Sequence, residues 1–130
     1  AIRERALAYA HLPVHVVAPS ELPRLPAEVE AALYAITLEA LTNIDKHARA
    51  SRCVIRFQIT DGIAQSGQQL ELVVCDDGAG LSAGAARGVG LLSMQARAIE
   101  VGGTCQIDSR PEQGTSVLVR IPCNDTAEAL

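Results

Sequence analysis

Val29, Leu33, Ile36, Ala40 and Ile44 recur at helical spacing, and that period predicts one core-facing stripe on a helix from about Ala27 to Ala48. Further along, Cys53, Ile55, Phe57 and Ile59 alternate with Arg52, Arg56 and Gln58, the pattern of a half-buried strand. Leu70, Leu72 and Val74 alternate in the same way, so the second strand is expected to pair antiparallel with the first across a polar turn over Thr60 to Gln68. Val89 to Val101 reads as a second helix stopped by Gly102-Gly103, and Thr104 to Ser109 with Thr115 to Pro122 as a closing hairpin across Arg110 to Gly114. Upstream, Ala1 to Ala10 reads as a short helix, Val14 to Ala18 as a short apolar strand and Ser20 to Pro26 as a proline-rich connector. Asn124 to Leu130 reads as a loose tail. The expected architecture is a two-layer α/β (α+β) sandwich, with a mixed, largely antiparallel sheet and helices on one face.

Three polar segments interrupt these patterns. Glu39, Asn43, Lys46 and His47 fall at i, i+4, i+7 and i+8 on one strip that borders the apolar stripe of the long helix. Asp76-Asp77-Gly78-Ala79-Gly80 closes a strand, and Gly88-Val89-Gly90-Leu91 opens a helix after the small-residue loop Ser82 to Arg87. Together they fit the holding of a nucleotide. A carboxylate at Asp76 can accept a hydrogen bond from the exocyclic amine of adenine, where guanine presents a carbonyl. Gly78 and Gly80 let the backbone pass close to a base. The Asn43 carbonyl suits Mg²⁺ shared with phosphate oxygens, and Glu39 one turn earlier can orient a metal-bound water or act as a base. Lys46 and His47 can complement phosphate charge. Gly88 and Gly90 precede a helix whose N-terminus can face phosphates. Read singly, each has a plainer meaning: Asp-Gly is a turn signal, the polar strip is a solvated helix face, and the glycines are a linker. Leu91 and Met94 read as packing residues, and Arg97 as either a partner contact or a surface ion pair.

Composition narrows the function classes. A chain of 130 residues is one domain with room for a real core. With one Phe, two Tyr and no Trp, the core is aliphatic and base stacking on aromatics is not expected. A net charge of −4, with one Lys among eleven basic residues, speaks against a nucleic-acid surface but leaves a local anion site open. Cys53, Cys75, Cys105 and Cys123 form no Cys-x-x-Cys pair or zinc spacing, so they read as buried thiols in a reducing cytosol. No apolar run approaches the ~20 residues of a membrane span.

The three segments resemble the N, G1 and G2 boxes of the ATP-binding domain of two-component sensor histidine kinases, in the superfamily that includes gyrase, Hsp90 and MutL. Glu39-x-x-x-Asn43 with Lys46-His47-Ala48 is similar to the N box, Asp76-x-Gly78-x-Gly80 to G1, and Gly88-x-Gly90-Leu91 to G2. The continuation through Met94 and Arg97-Ala98, the Gly102-Gly103 break and the ending from Gly114-Thr115 to Pro122 resemble the nitrate-sensor-like subfamily. The resemblance covers about Ala10 to Cys123. It implies ATP and Mg²⁺ as ligands. Asp76 would sit at the adenine amine, Asn43 on the metal, Glu39 at the metal or its water, Lys46 and His47 near the phosphates and Thr115 near the adenine end. It also implies a shortened lid between Gly80 and Gly88.

The implied partners are a dimerisation and phosphoacceptor domain of the same kinase and, downstream, a response regulator with a helix-turn-helix output. No direct nucleic-acid or membrane contact is expected of this fragment, which is placed in the cytoplasm as part of a membrane-anchored sensor. The domain is read as residues 1–123, with residues 1–10 a remnant of the linker to the missing domain and 124–130 a tail. The abrupt start without a Met reads as a cut from a longer protein. His11, His15 and His47 do not sit as phosphoacceptors, so the isolated chain is expected to bind ATP without phosphorylating itself. Two alternatives stay open: an anti-sigma-type serine kinase of the same superfamily, and a binding module that has kept the fold and lost the nucleotide.

Overall fold

The structure is a computed structural model and describes residues 14–19, 24–43, 52–61, 67–78, 91–110 and 114–122. In chain order the elements are β1 (Val14–Val17), α1 (Ala27–Asn43), β2 (Cys53–Asp61), β3 (Gln68–Asp76), α2 (Leu91–Glu100), β4 (Thr104–Arg110) and β5 (Gly114–Pro122). Among the described residues the strands form one sheet in the order β1-β2-β3-β5-β4. β1 runs parallel to β2, and every other neighbouring pair is antiparallel. The sandwich expected from the sequence is therefore present, with the parallel pair joined through α1.

Strand alternation decides which face is covered. Ile55, Val74, Val117 and Ile107 lie in one cross-strand row, and Phe57, Leu72, Val119 and Cys105 in the next. These side chains share a core with Val29, Leu33, Ile36, Ala40 and Leu41 of α1 and with Met94 and Ala98 of α2. Burying each large apolar side chain contributes roughly 1.5–3 kcal/mol, so a core that is aliphatic apart from Phe57 carries the domain. Thr37 lies inside the same helical stripe, and its hydroxyl donates to the Leu33 carbonyl at 2.7 Å, which satisfies it in the apolar interior.

Helix ends follow local chemistry. The Pro26 carbonyl accepts the amides of Val29 and Glu30, and Glu28 and Glu30 place negative charge at the positive end of α1. α2 closes with Gly103 donating to Ala98 at 2.8 Å and Gly102 donating to Ile99 at 2.9 Å, a Schellman ending with Gly102 at φ 80°. Val101 therefore belongs to the closing turn rather than to the helix, as expected from the sequence only to within one residue. The β2–β3 hairpin is longer than expected. Thr60 pairs with Gln69 and Asp61 with Gln68, because a backbone ladder can continue past the apolar alternation. The expected helix over Ala1 to Ala10, the helical stretch from Ile44 to Ala48, the loop Ser82 to Arg87 and the tail from Asn124 lie outside the described residues.

Candidate functional site

The inward positions of β3 are Leu70, Leu72, Val74 and then Asp76, so strand periodicity places a carboxylate where the series would put a fourth core residue. Its cross-strand partner is Cys53, which is fully buried. Asp76 Oδ1 accepts the Gly78 amide at 2.7 Å, closing a tight turn as the chain leaves the strand. Asp76 Oδ2 is buried and has no hydrogen-bond partner among the described residues. Burial pushes the Asp76 carboxyl above the usual carboxylate range; the amides of Gly78 and Thr115 pull the other way, and the neighbouring Asp77 charge adds to the rise. An unmet buried acceptor costs about 1–3 kcal/mol, so this arrangement favours a ligand that brings a donor to Oδ2. The exocyclic amine of adenine is such a donor.

Two residues that sequence reasoning did not single out shape the backbone around this carboxylate. Gly114 opens β5 with φ 85°, and a Cβ there would collide with the carbonyl oxygen of Asp76. Only glycine permits that approach between β5 and the end of β3. Asp77 is exposed, and its Oδ1 accepts the Arg52 amide at 3.0 Å, tying the start of β2 to the turn. The signals existed as Gly114-Thr115 at a strand start and as the doubled Asp76-Asp77, but neither reveals a contact across the sheet.

The structure brings Asp76, Gly78 and Thr115 together, with Thr115 buried at the start of β5. Glu39 and Asn43 are half-buried, one turn apart in the last stretch of α1, a helix that packs against β3 and α2. Asn43 engages in polar interaction in this position. Leu91, a candidate nucleotide contact of the Gly88-x-Gly90-Leu91 segment, is half-buried as the first residue of α2, and Met94 is fully buried, in keeping with the packing role expected of Met94. Arg97 is exposed in the last turn of α2, where its charge suits the negative helix end. Lys46, His47, Gly80, Gly88 and Gly90 lie outside the described residues. Cys53, Cys75 and Cys105 are free thiols. Burial pushes Cys53 up to about 12, with the Asp76 charge adding to it, and Cys105 to about 11.

Residues 28–125 match the family described as histidine kinase-, DNA gyrase B-, and HSP90-like ATPase, and the chain belongs to that family. It is 38% identical over 106 residues to an uncharacterised sensor-like histidine kinase of Chloroflexus aurantiacus, covering 76% of this chain and 17% of that protein. It is 30% identical to the sensor protein VraS of Staphylococcus saprophyticus, covering 87% of this chain and 31% of VraS. With the nitrate/nitrite sensor protein NarX of Escherichia coli K12 it shares 36% identity over 100 residues, 75% of this chain and 16% of NarX. The chain thus spans under a third of the length of these relatives, and it corresponds to the ATP-binding catalytic domain of sensor histidine kinases. Its fold is similar to that of the blue-light activated histidine kinase of Erythrobacter litoralis EL346, with a TM-score of 0.72 at 20% identity, over 98% of this chain and 41% of that one. Among the described residues, no helix is long and apolar enough to cross a membrane, and no three His, Cys, Asp or Glu side chains gather as a metal cage.

Proposed function

We propose that this domain binds Mg·ATP and delivers the γ-phosphoryl group to a histidine on a dimerisation domain outside this chain. The observation that supports the reading is the buried Oδ2 of Asp76, without a hydrogen-bond partner among the described residues; such an acceptor suits the adenine amine and disfavours a base with a carbonyl in its place. Thr115, whose amide bonds to the Asp76 carboxylate, lies at the same end of the sheet. Asn43 would offer a protein oxygen to Mg²⁺, which would neutralise phosphate charge, and Glu39 would assist at the metal or its water. Lys46, His47, Gly80, Gly88 and Gly90 complete the phosphate side. Catalysis in such a site is mostly positioning and charge stabilisation: the histidine nitrogen bonds to the γ-phosphorus as the bond to the β–γ bridging oxygen breaks, and ADP leaves.

The response regulator downstream and the cytoplasmic face of a membrane-anchored sensor belong to the same proposal, supported by the sensor kinases among its relatives. The test is incubation of the chain with γ-labelled ATP, alone and with a separately produced phosphoacceptor domain of its own kinase. Acid-labile label on the added domain alone is expected. Label on this chain contradicts the reading, and acid-stable phosphoserine on a partner favours the anti-sigma-type kinase.

A further inference from the structure

Asp76 and Asp77 are adjacent carboxylates with opposite surroundings, one half-buried and facing the core layer, the other exposed. The last backbone rung between β2 and β3 joins Cys53 to Asp76. One residue further, the antiparallel register would bring Arg52 opposite Asp77. There the Asp77 side chain takes over: its Oδ1 accepts the Arg52 amide at 3.0 Å. This satisfies the Arg52 donor while releasing the Asp77 backbone to turn away toward Gly78. The Asp76 Oδ1 bond to the Gly78 amide closes the turn, and the Arg52 tie is a second anchor that does not draw on the recognition carboxylate.

We propose that Asp77 is a positioning residue for adenine recognition, acting through its bond to the Arg52 amide to hold the Asp76 carboxylate with Oδ2 turned to the base. This rests on the adenine reading of Asp76 given above. Asp77 also carries a charge that disfavours the ionised form of Asp76. Alanine and asparagine at position 77 both remove that charge, so the difference between them reports the side-chain polar contacts at this position, the bond to the Arg52 amide among them.

The experiment is calorimetric titration of Mg·ADP and Mg·IDP, whose hypoxanthine has a carbonyl in place of the amine, into the wild type, Asp77→Ala and Asp77→Asn, each checked by thermal melting. The wild type is expected to prefer ADP. Asp77→Ala weakens ADP by about three- to tenfold, the worth of one hydrogen bond, and IDP by less, so the preference narrows. Asp77→Asn keeps the oxygen and restores ADP affinity to within about twofold of the wild type. Asp77→Ser, too short to reach Arg52, behaves as alanine does and serves if the alanine variant melts out. An unchanged ADP/IDP preference in Asp77→Ala, equal loss for both nucleotides, or an Asp77→Asn variant as weak as alanine overturns the proposal while leaving the adenine site standing. A wild type that shows no preference for ADP over IDP overturns the adenine reading and this inference with it.

Discussion

Replacing Gly114 by alanine separates two costs that the structure makes distinguishable. Gly114 and Gly102 have nearly the same backbone conformation, φ 85° and φ 80°. A Cβ at Gly102 meets nothing within 4 Å, whereas one at Gly114 drives into the Asp76 carbonyl and onto Asp77. Gly102→Ala therefore carries only the left-handed backbone penalty of roughly 1–2 kcal/mol. Gly114→Ala carries that penalty and a collision with main chain that cannot rotate away, roughly 1–3 kcal/mol more. At about 4 °C per kcal/mol for a domain of this size, the expected falls in Tm are about 4–8 °C for Gly102→Ala and about 8–20 °C for Gly114→Ala. The extra displacement falls on Asp76, so Gly114→Ala also loses ADP affinity at a temperature where both variants are folded, and Gly102→Ala keeps it. Scanning calorimetry and an ADP titration read both effects. Equal melting falls with ADP binding intact in Gly114→Ala refute the close packing of β5 on the end of β3.

Asp76→Asn removes a buried charge. Because the folded-state carboxyl of Asp76 is raised, the folded form takes up its proton more readily than the unfolded chain, and its charged form burdens the fold as pH rises through that value. The ligand-free variant should therefore be more stable than wild type at pH 7, with the gap closing as pH falls into the carboxylate range; urea unfolding at pH 7 and pH 4 checks this. Met94→Ala empties a fully buried site shared by α2, α1 and the sheet and should cost about 2–5 kcal/mol, read from the urea midpoint. Cys53 and Cys105, pushed up to about 12 and about 11, should resist iodoacetamide at pH 8 until the chain is unfolded, as peptide mass mapping would show. Arg120→Ala breaks a 2.9 Å bridge to Glu71 that lies on the open sheet face, where Gln58 also donates to Glu71 at 2.7 Å; its cost should stay below about 1 kcal/mol in thermal melts.

Elements built on periodicity were legible because burial writes itself into spacing. The stripe through Val29, Leu33, Ile36 and Ala40 and the alternations of β2 and β3 follow directly from which side faces the core. Asp76 was legible for the same reason, since a carboxylate on the inward phase of a buried strand breaks the pattern at one point. Thr60, Asp61 and Gln68 were misread as turn, because solvent accepts polar side chains whether or not their backbones are paired. The parallel pairing of β1 with β2 has no local signature, as it depends on where the chain returns after α1. Gly114 and Asp77 act across the sheet on residues far away in sequence, Asp76 and Arg52, and no spacing rule encodes such a contact.

The most direct test of the central claim is calorimetric titration of Mg·ADP into the wild-type chain and Asp76→Asn, with GDP as control. Saturable binding of ADP, absent for GDP and lost in the variant, is the expected result. A wild type that binds GDP as well as ADP, or a variant that binds ADP as tightly as the wild type, contradicts the assignment of Asp76 Oδ2 to the adenine amine.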